Sequence, residues 1–323
     1  TGDTEVALAF VAAACTELPL KQRQLRKGGL LLSWPGDESA PRALTAHVDT
    51  LGAMVRKLKD NGRLQLTTIG SFDWHTLEGE GCTVVTGDQR AYRGSILPTK
   101  ASVHIYGQES RDLKRTGENY EVRLDARTED QTETQELGIQ VGDFVYIDRR
   151  VEINEGFIRS RYLDDKAGVA AIYGALLALQ RSGLKPRYRL DVLISGYEEV
   201  GHGAAAGWPA DVAELVAVDM AAAGGAQNSD EFSVGICAKD SGGPYHLGLR
   251  RRLEELARQY EIPYRVDVYP HYGSDGEAAW RAGADFRVGL IGPGVDASHA
   301  YERTHSDSLA ATAQLIVAYL LAE

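Results

Sequence analysis

The stretch FIRSRYLDDKAGVAAIYGALLALQRSGLKPRYRLDVLISGYEE, residues 157–199, decides the fold class. Its first apolar run ends in the pair Asp164–Asp165, and an apolar helix is predicted from about Gly168 to Arg181. The strand YRLDVLISG follows and ends near the pair Glu198–Glu199. A strand, a helix and a second strand in this order predict an α/β sheet. Ligands of such sheets collect at the carboxyl ends of the strands, which is where both acid pairs stand.

The same alternation occupies both ends of the chain and is absent from its middle. A helix is predicted over roughly Thr4–Glu17, the strands GGLLLSW and ALTAHVD follow, and a closing helix is predicted over about Leu309–Leu321. Between these parts, short β-type runs are separated by Gly, Asn and Asp turns. We therefore predict a mixed-sheet α/β domain, residues 1–55 and 151–323, with helices on both faces. A small all-β domain of barrel or PDZ-like type, residues 56–150, is predicted between its halves.

Composition excludes several classes of protein. Hydrophobic residues make up 43% of the chain and charged residues 25%, and no apolar run approaches the ~20 residues of a membrane span. A formal charge of −11 disfavours binding to nucleic acid. Three widely spaced cysteines indicate reduced thiols, and the absence of a basic, apolar leader favours a cytoplasmic location.

Two imidazoles stand beside carboxylates near strand ends. His47 and Asp49 lie two residues apart at the end of RALTAHVDTLG, so on a strand they project to the same face. A carboxylate in that position commonly holds the ring nitrogen that does not bind metal, although this short motif alone favours a polar strand end. Asp219 ends ELVAVD and His305 lies in ERTHSDS. Taken singly, each is more typical of a strand end or a loop than of a ligand.

The two acid pairs allow more than one interpretation. Asp164 and Asp165 precede a helix, where acids cap the positive N-terminus, but adjacent aspartates also suit a carboxylate that bridges two cations. Glu198 and Glu199 point in different directions at a strand end. One is then available to bind metal while the other moves a proton, as metal-assisted hydrolysis requires.

Together these residues predict two cations that share one aspartate. Imidazoles mixed with carboxylates suit Zn, Mn or Co better than Ca or Mg. A shared carboxylate and a bridging water hold two metals ~3.5–4 Å apart in aminopeptidases, phosphatases and nucleases. The candidate ligands are three carboxylates and two imidazoles: His47, Asp164, Glu199, Asp219 and His305.

The chain resembles the M42 family of metallo-aminopeptidases, which includes glutamyl and tetrahedral aminopeptidases. The matching segments are AHVDTLG, LDDKAGVAA, YEEVGHGAA, VAVDM, YGSDGEAAWRAGA and ERTHSDS, in the family's order. TAHVDTLGAMV and VDASHAYERTH look closest to a bacterial subgroup described with an osmoprotectant-peptide biosynthesis system. The resemblance implies a zinc-peptidase-like catalytic domain, short peptide substrates and a homo-oligomer, which in this family is often a tetrahedral dodecamer. The inserted domain would serve oligomerisation and substrate access.

The resemblance also implies a role for each candidate residue. Two divalent cations, zinc or else cobalt or manganese, would be bound by His47 with Asp219 and by Glu199 with His305, with Asp164 bridging them. Glu198 would activate the bridging water, Asp49 would orient His47, and the Asp164–Asp165 peptide would be cis. The implied reaction is the hydrolysis of N-terminal residues from short peptides.

Three positions depart from the family pattern. Thr50 stands where the family usually has Glu, His202 follows the EEVG motif, and His299 lies six residues before His305. We assign the metal to His305, because RTHS matches the family segment and ASHA does not. Two alternative functions remain open: a metal-dependent amidase or deacylase of a small N-acyl or dipeptide metabolite, and a non-catalytic metal-binding assembly protein.

Overall fold

The computed structural model describes residues 1–323. The chain forms two compact units: the sheet unit, Thr1–Thr50 with Val151–Glu323, and the barrel unit, Leu51–Arg150. The strands are β1 (Lys21–Leu25), β2 (Gly29–Trp34), β3 (Asp37–His47), β4 (Gly52–Leu58), β5 (Leu64–Ile69), β6 (Gly81–Val85), β7 (Ala91–Pro98), β8 (Tyr120–Leu124), β9 (Phe144–Ile147), β10 (Glu152–Asn154), β11 (Phe157–Ser160), β12 (Tyr188–Ser195), β13 (Glu214–Val218), β14 (Ala221–Ala223), β15 (Val234–Lys239), β16 (Tyr264–Val268), β17 (Arg287–Asp296) and β18 (Glu302–His305). The α-helices are α1 (Glu5–Ala14), α2 (Val103–Tyr106), α3 (Gln108–Arg111), α4 (Gln131–Glu136), α5 (Leu163–Arg181), α6 (Leu247–Gln259), α7 (Asp275–Arg281) and α8 (Ser306–Leu321).

The sheet unit is built on one mixed sheet of 12 strands. The strand order is β1-β2-β12-β3-β13-β17-β18-β11-β10, while β14 and β15 pair with β17, and β16 pairs with β15. The central strands β12, β3, β13 and β17 are parallel neighbours. Because parallel strands end at the same edge of a sheet, the segments that follow them are brought together there.

Helices cover both faces of this sheet, as predicted. On one face, Leu44 and Ala46 of β3 share a buried core with Leu176 of α5 and Leu315 of α8. On the other face, Ala43 belongs to a core that includes Ala279 of α7. The alternation of neighbouring side chains along β3 explains this division. Burying one such leucine contributes about 1.5–3 kcal/mol relative to leaving it exposed.

The barrel unit is a closed antiparallel barrel with the strand order β4-β5-β8-β7-β6-β9. Its own core includes Leu64, Leu66, Val84 and Ile96, all of which are almost fully buried. This arrangement confirms the predicted barrel, to which the short helices α2, α3 and α4 are added. Alternating residues of each strand face the interior, as in β6, where Cys82 and Val84 are buried and their neighbours are partly exposed.

Elements with little apolar periodicity were not predicted from the sequence. The strand β1 consists of KQRQL and is mostly exposed, so it has no apolar alternation to reveal it. The short helices α2 and α3 lie within the segment predicted to consist of β-type runs and turns. No helix of this fold combines the length and the apolar character that crossing a membrane requires.

Candidate active site at the strand ends

The parallel strands deliver the predicted polar residues to one edge of the sheet. β3 ends at His47, β12 ends at Ser195, and Asp219 follows the last residue of β13. His47 and Ser195 are register partners. All three side chains are buried, with His47 only 1% exposed. The sheet therefore places an imidazole and a carboxylate side by side in its interior.

A tight turn after β12 positions the two glutamates. Tyr197 has the positive φ of 71°, and a short 3-10 helix, Glu198–Val200, follows it. The carboxylate of Asp49 accepts the N–H groups of Glu198 and Glu199 at 3.1 and 3.3 Å. Its Oδ1 lies 3.5 Å from Nδ1 of His47, which is closer to the main-chain oxygen of Asp49, at 3.0 Å. Asp49 thus contacts both the ring of His47 and the main chain of the glutamate turn.

The two aspartates at the start of α5 have different environments. Asp165 accepts the N–H of Gly168 with Oδ1, at 3.1 Å, and the N–H of His47 with Oδ2, at 3.2 Å. A Cβ atom at position 168 would lie 2.2 Å from Oδ1 of Asp165, so only glycine fits there. The peptide between Asp164 and Asp165 is cis, as the resemblance implied. Helix capping thus accounts for Asp165, while the side chain of Asp164 points to the imidazoles.

His47 and Asp164 lie at the centre of a compact group of donors. Nε2 of His47 is 3.1 Å from Oδ1 of Asp164, 3.7 Å from Oε2 of Glu198 and 4.0 Å from Oδ1 of Asp219. Two groups of three residues have ligand atoms that all lie within 4.8 Å of one another inside the group, a spacing suited to a metal ion. One group is His47 with Asp164 and Glu199, and the other is His47 with Asp165 and Asp219.

The structure does not bring His305 to this group, contrary to our assignment. Its Nδ1 accepts the N–H of Asp307 at 3.1 Å, and its Nε2 lies 3.2 Å from the main-chain oxygen of Glu155. The ring packs edge-on against Phe157 with a centroid distance of 4.8 Å. His305 therefore caps the N-terminus of α8, and both of its ring nitrogens are engaged by the main chain.

His299 takes the place that we expected for His305. Its Nε2 lies 3.4 Å from Oδ2 of Asp164 and 3.7 Å from Oε2 of Glu199. Its φ of 63° places its backbone in the left-handed region. The motif ASHA, which differs from the family segment, thus supplies the second imidazole of the cluster. No local motif predicts this left-handed backbone at His299, so the sequence alone did not single out this residue.

Burial governs the charges of the carboxyl groups. Burial and the nearby charge of Asp164 raise the pKa of Glu199 to about 8 and that of Asp219 to about 7. Burial likewise holds the pKa of Glu198 well above its usual range. Burial opposes ionisation of Asp164 too, but hydrogen bonds to His299 and His47 lower its pKa. Without a cation, this cluster therefore holds more acid groups than its imidazoles can offset.

Two further buried acids border the cluster and were not predicted as site residues. Asp275 accepts hydrogen bonds from the hydroxyl of Ser195 and, at 2.7 Å, from the N–H of Ala204. Glu302 accepts the N–H of Asp164 and the N–H of His299. Asp275 begins α7 and Glu302 begins β18. No local pattern predicts their positions beside the cluster, because both arise from contacts between distant segments.

The donor set fits a divalent metal centre. Two imidazoles and four carboxylates lie together in a largely buried cluster, and such mixtures suit Zn, Co or Mn. Glu198 is an additional carboxyl group beside these donors. A site of this composition is able to bind a Lewis acid and to move a proton, which are the two requirements of metal-assisted hydrolysis.

The chain is similar to known aminopeptidases. The family model for M42 glutamyl aminopeptidase matches residues 28–315. The protein YhfE of Bacillus subtilis (strain 168), an aminopeptidase by name, is 46% identical over 322 residues, covering 99% of this chain and 93% of its own length.

Two solved structures share the fold. The aminopeptidase APDkam598 from the archaeon Desulfurococcus kamchatkensis superposes with a TM-score of 0.88 at 22% identity, covering 100% of this chain and 91% of the other. The TET1 peptidase of Pyrococcus horikoshii, described as able to assemble into a tetrahedron or a large octahedral shell, has a TM-score of 0.83 at 21% identity. The match covers 98% of this chain and 93% of that one.

Proposed function

Since this chain belongs to the M42 glutamyl aminopeptidase family and is therefore a peptide-hydrolysing aminopeptidase, we propose that it uses two divalent metal ions and that Glu198 is its general base. M42 peptidases depend on metal. What we propose is the number of ions and the residues that bind them.

The two-metal proposal rests on one observation: the two carboxylate oxygens of Asp164 lie near different imidazoles. Its Oδ1 lies 3.1 Å from Nε2 of His47, and its Oδ2 lies 3.4 Å from Nε2 of His299. A carboxylate that faces a different imidazole with each oxygen is suited to bridge two ions. His47 and Asp219 would complete one position, and Glu199 and His299 the other. His299 replaces His305 in this ligand set.

When bound, the two cations would polarise the peptide carbonyl and make water acidic enough to be deprotonated near neutral pH. Glu198 is placed to accept that proton, because its Oε2 lies 3.7 Å from Nε2 of His47 and its main chain is held by Asp49. The same carboxyl group would then deliver the proton to the leaving amine. Asp49 serves by fixing the turn that carries Glu198 and Glu199.

The acid-rich cluster also suggests why a free amino terminus would be required. Oδ2 of Asp164 and Oε2 of Glu199 lie near the same imidazole nitrogen, Nε2 of His299, at 3.4 and 3.7 Å. A substrate ammonium group would be attracted to these carboxylates, and an N-acetyl group would lose that attraction. This reasoning favours an aminopeptidase of short peptides over the amidase alternative.

A panel of free and N-acetylated dipeptides tests the proposal. Metal-stripped protein is restored with Zn, Co or Mn, and the wild type is compared with the Glu198→Gln variant. We expect cleavage of free dipeptides only, and a fall in kcat of roughly 100-fold or more in the variant with its metal content unchanged. Retained turnover in the variant would remove Glu198 from the mechanism. Cleavage of blocked substrates alone would indicate an amidase, and metal binding without turnover would indicate an assembly protein.

We also propose that the protein is a homo-oligomer, with a tetrahedral dodecamer as the expected form. The proposal is supported by the similarity in fold to a TET1 peptidase that assembles into a tetrahedron or a larger shell. In this proposal, the barrel unit contributes to subunit contacts and to substrate access. Light scattering coupled to size-exclusion chromatography measures the mass directly, and a monomer would contradict the proposal.

A further inference from the structure

Glu302 is a buried acid whose carboxylate contacts main chain on both sides. It is the first residue of β18 and is only 2% exposed. Its Oε2 accepts the N–H of Asp164 at 3.1 Å, and its Oε1 accepts the N–H of His299, also at 3.1 Å. Each carboxylate oxygen thus holds a different segment of the chain, one at the start of α5 and one in the loop before β18.

The two residues held in this way are the ones that face each other in the cluster. Oδ2 of Asp164 lies 3.4 Å from Nε2 of His299. The loop that carries His299 has two non-glycine residues with positive φ, Ala297 at 57° and His299 at 63°. Such residues keep this conformation only where the surroundings fix it. The hydrogen bond from the N–H of His299 to Glu302 is a contact that fixes it.

We propose that Glu302 is a positioning residue that sets the separation between Asp164 and His299, and thereby the affinity of the metal position that these two residues share. The inference rests on the two-metal function proposed above. Glu302 would not bind metal itself, because each of its oxygens already accepts a main-chain N–H. It acts through the ligands, as residues behind a metal centre commonly do.

Both donors are N–H groups, so the side chain at position 302 has to offer an acceptor oxygen to each of them. A glutamine has one acceptor oxygen and one NH₂ group, so the Glu302→Gln variant would satisfy one N–H and oppose the other. An aspartate keeps both acceptors but is shorter by one methylene and would not reach both segments. Either change should loosen the same pair of ligands while leaving His47 and Asp219 in place.

The test is calorimetric titration of the metal-stripped full chain with Zn²⁺ and, separately, the visible spectrum of the Co²⁺-loaded protein. We expect two ions per subunit in the wild type. In Glu302→Gln, the ion at the His299 position should bind about 10–100-fold more weakly, the range found for residues behind metal ligands. The other ion should be weakened less, because it keeps His47 and Asp219 and shares only Asp164 with the first. The Co²⁺ spectrum should change, and excess metal should restore most of kcat.

Asp267 provides a matched control. It is a buried acid of the same unit whose two oxygens also accept main-chain N–H groups, from Ser229 and Val268. Asp267→Asn should lower thermal stability without changing metal stoichiometry or the Co²⁺ spectrum. If Glu302→Gln does not fold, Glu302→Asp is titrated in its place, with the same weakening expected.

The outcomes separate the two proposals. If the wild type binds two ions and Glu302→Gln binds both with unchanged affinity and spectrum, the positioning role is overturned and the two-metal function stands. If Asp267→Asn weakens metal binding as much as the Glu302 variant, a general loss of stability explains both and the role is likewise overturned. If the wild type binds only one ion, the two-metal function fails, and the positioning role that depends on it fails as well.

Discussion

The barrel unit and the sheet unit both bury carboxylates, but they balance the charge differently. In the barrel, Glu121 is 1% exposed and accepts hydrogen bonds from Lys59 and Arg63. Burial would raise its pKa, yet these cations lower it. In the sheet unit, burial raises the pKa of Glu199 to about 8 and that of Asp219 to about 7.

The difference lies in which groups neutralise the buried acids. The chain supplies the cations for Glu121, so this residue is ionised and satisfied within the barrel. Asp164 and Asp219 are instead paired with imidazoles, which neutralise them only when protonated. A cluster of that kind gains stability from an added divalent cation, whereas an acid already paired with lysine and arginine does not.

The largest expected effect comes from removing an imidazole of the cluster. His299→Ala should weaken binding of one of the two metal ions by more than the 10–100-fold typical of residues behind the ligands, and kcat should fall in parallel at limiting metal. The reason is that His299 would be a direct ligand. Metal content after dialysis, measured by mass spectrometry, reports the loss.

His305→Ala is the control for that variant. Because His305 caps α8 and packs against Phe157, its loss should reduce thermal stability and leave two metal ions bound. The reverse pattern, with His305→Ala losing a metal and His299→Ala keeping both, would restore the assignment that the family motif suggested.

An intermediate effect is expected from removing the buried negative charge of Glu121 in the barrel. Glu121→Gln removes a charge that two cations contact, so we expect the free energy of unfolding to fall by about 2 kcal/mol, the scale of hydrogen bonds to charged groups. Chemical denaturation measures this change. Metal content and kcat of the folded variant should be unchanged, and a loss of metal would contradict the distinction drawn between the two kinds of acid.

The raised pKa values of two cluster acids also predict a pH dependence of stability in the metal-free protein. The pKa values of Asp219 and Glu199 are raised from their usual values of 3.8 and 4.5 to about 7 and about 8. A raised pKa in the folded state adds stability below the usual value, and that stability is lost as the pH rises through the folded value. Metal-free protein should therefore lose stability between about pH 4 and pH 8 through these groups.

Metal binding should reverse that trend, because the cation replaces the protons. We expect the gain in Tm on adding Zn²⁺ to be larger near pH 8 than near pH 5. Melting curves with and without metal at both pH values measure it. A gain that is independent of pH would show that these carboxyls do not exchange protons for metal.

The fold was largely predictable because the main signals are local. The apolar run from Tyr188 to Ser195 and the helix α5 have strong periodicity, and parallel strands bring their ends together by geometry alone. The pairing of β3 with β12 across the barrel segment could not be read from local patterns.

The site was less predictable where long-range contacts decide it. The segment ERTHSDS matched the family, but the ring of His305 is turned toward Glu155 and Asp307 instead of the acids. Glu302 contacts Asp164 across 138 positions of sequence, so no local pattern indicates its role. A motif gives the residue types of a site, and the packing of distant segments decides which of them face it.

The position of the insert also constrains the order of folding. β3 ends at His47, yet its partners β12 and β13 begin only at Tyr188 and Glu214, after the whole barrel unit. During synthesis, residues 51–150 are completed before β12 and β13, and domains generally fold as units in that order. A flexible loop of that length would oppose the pairing of β3 with β12 and β13 through the entropy lost on closing it, and early folding of the barrel removes this flexible loop. β3, which carries His47, therefore pairs only after β12 and β13 have been synthesised. Contacts between segments so far apart in sequence form slowly, so we expect assembly of the central sheet to be the slow step of folding.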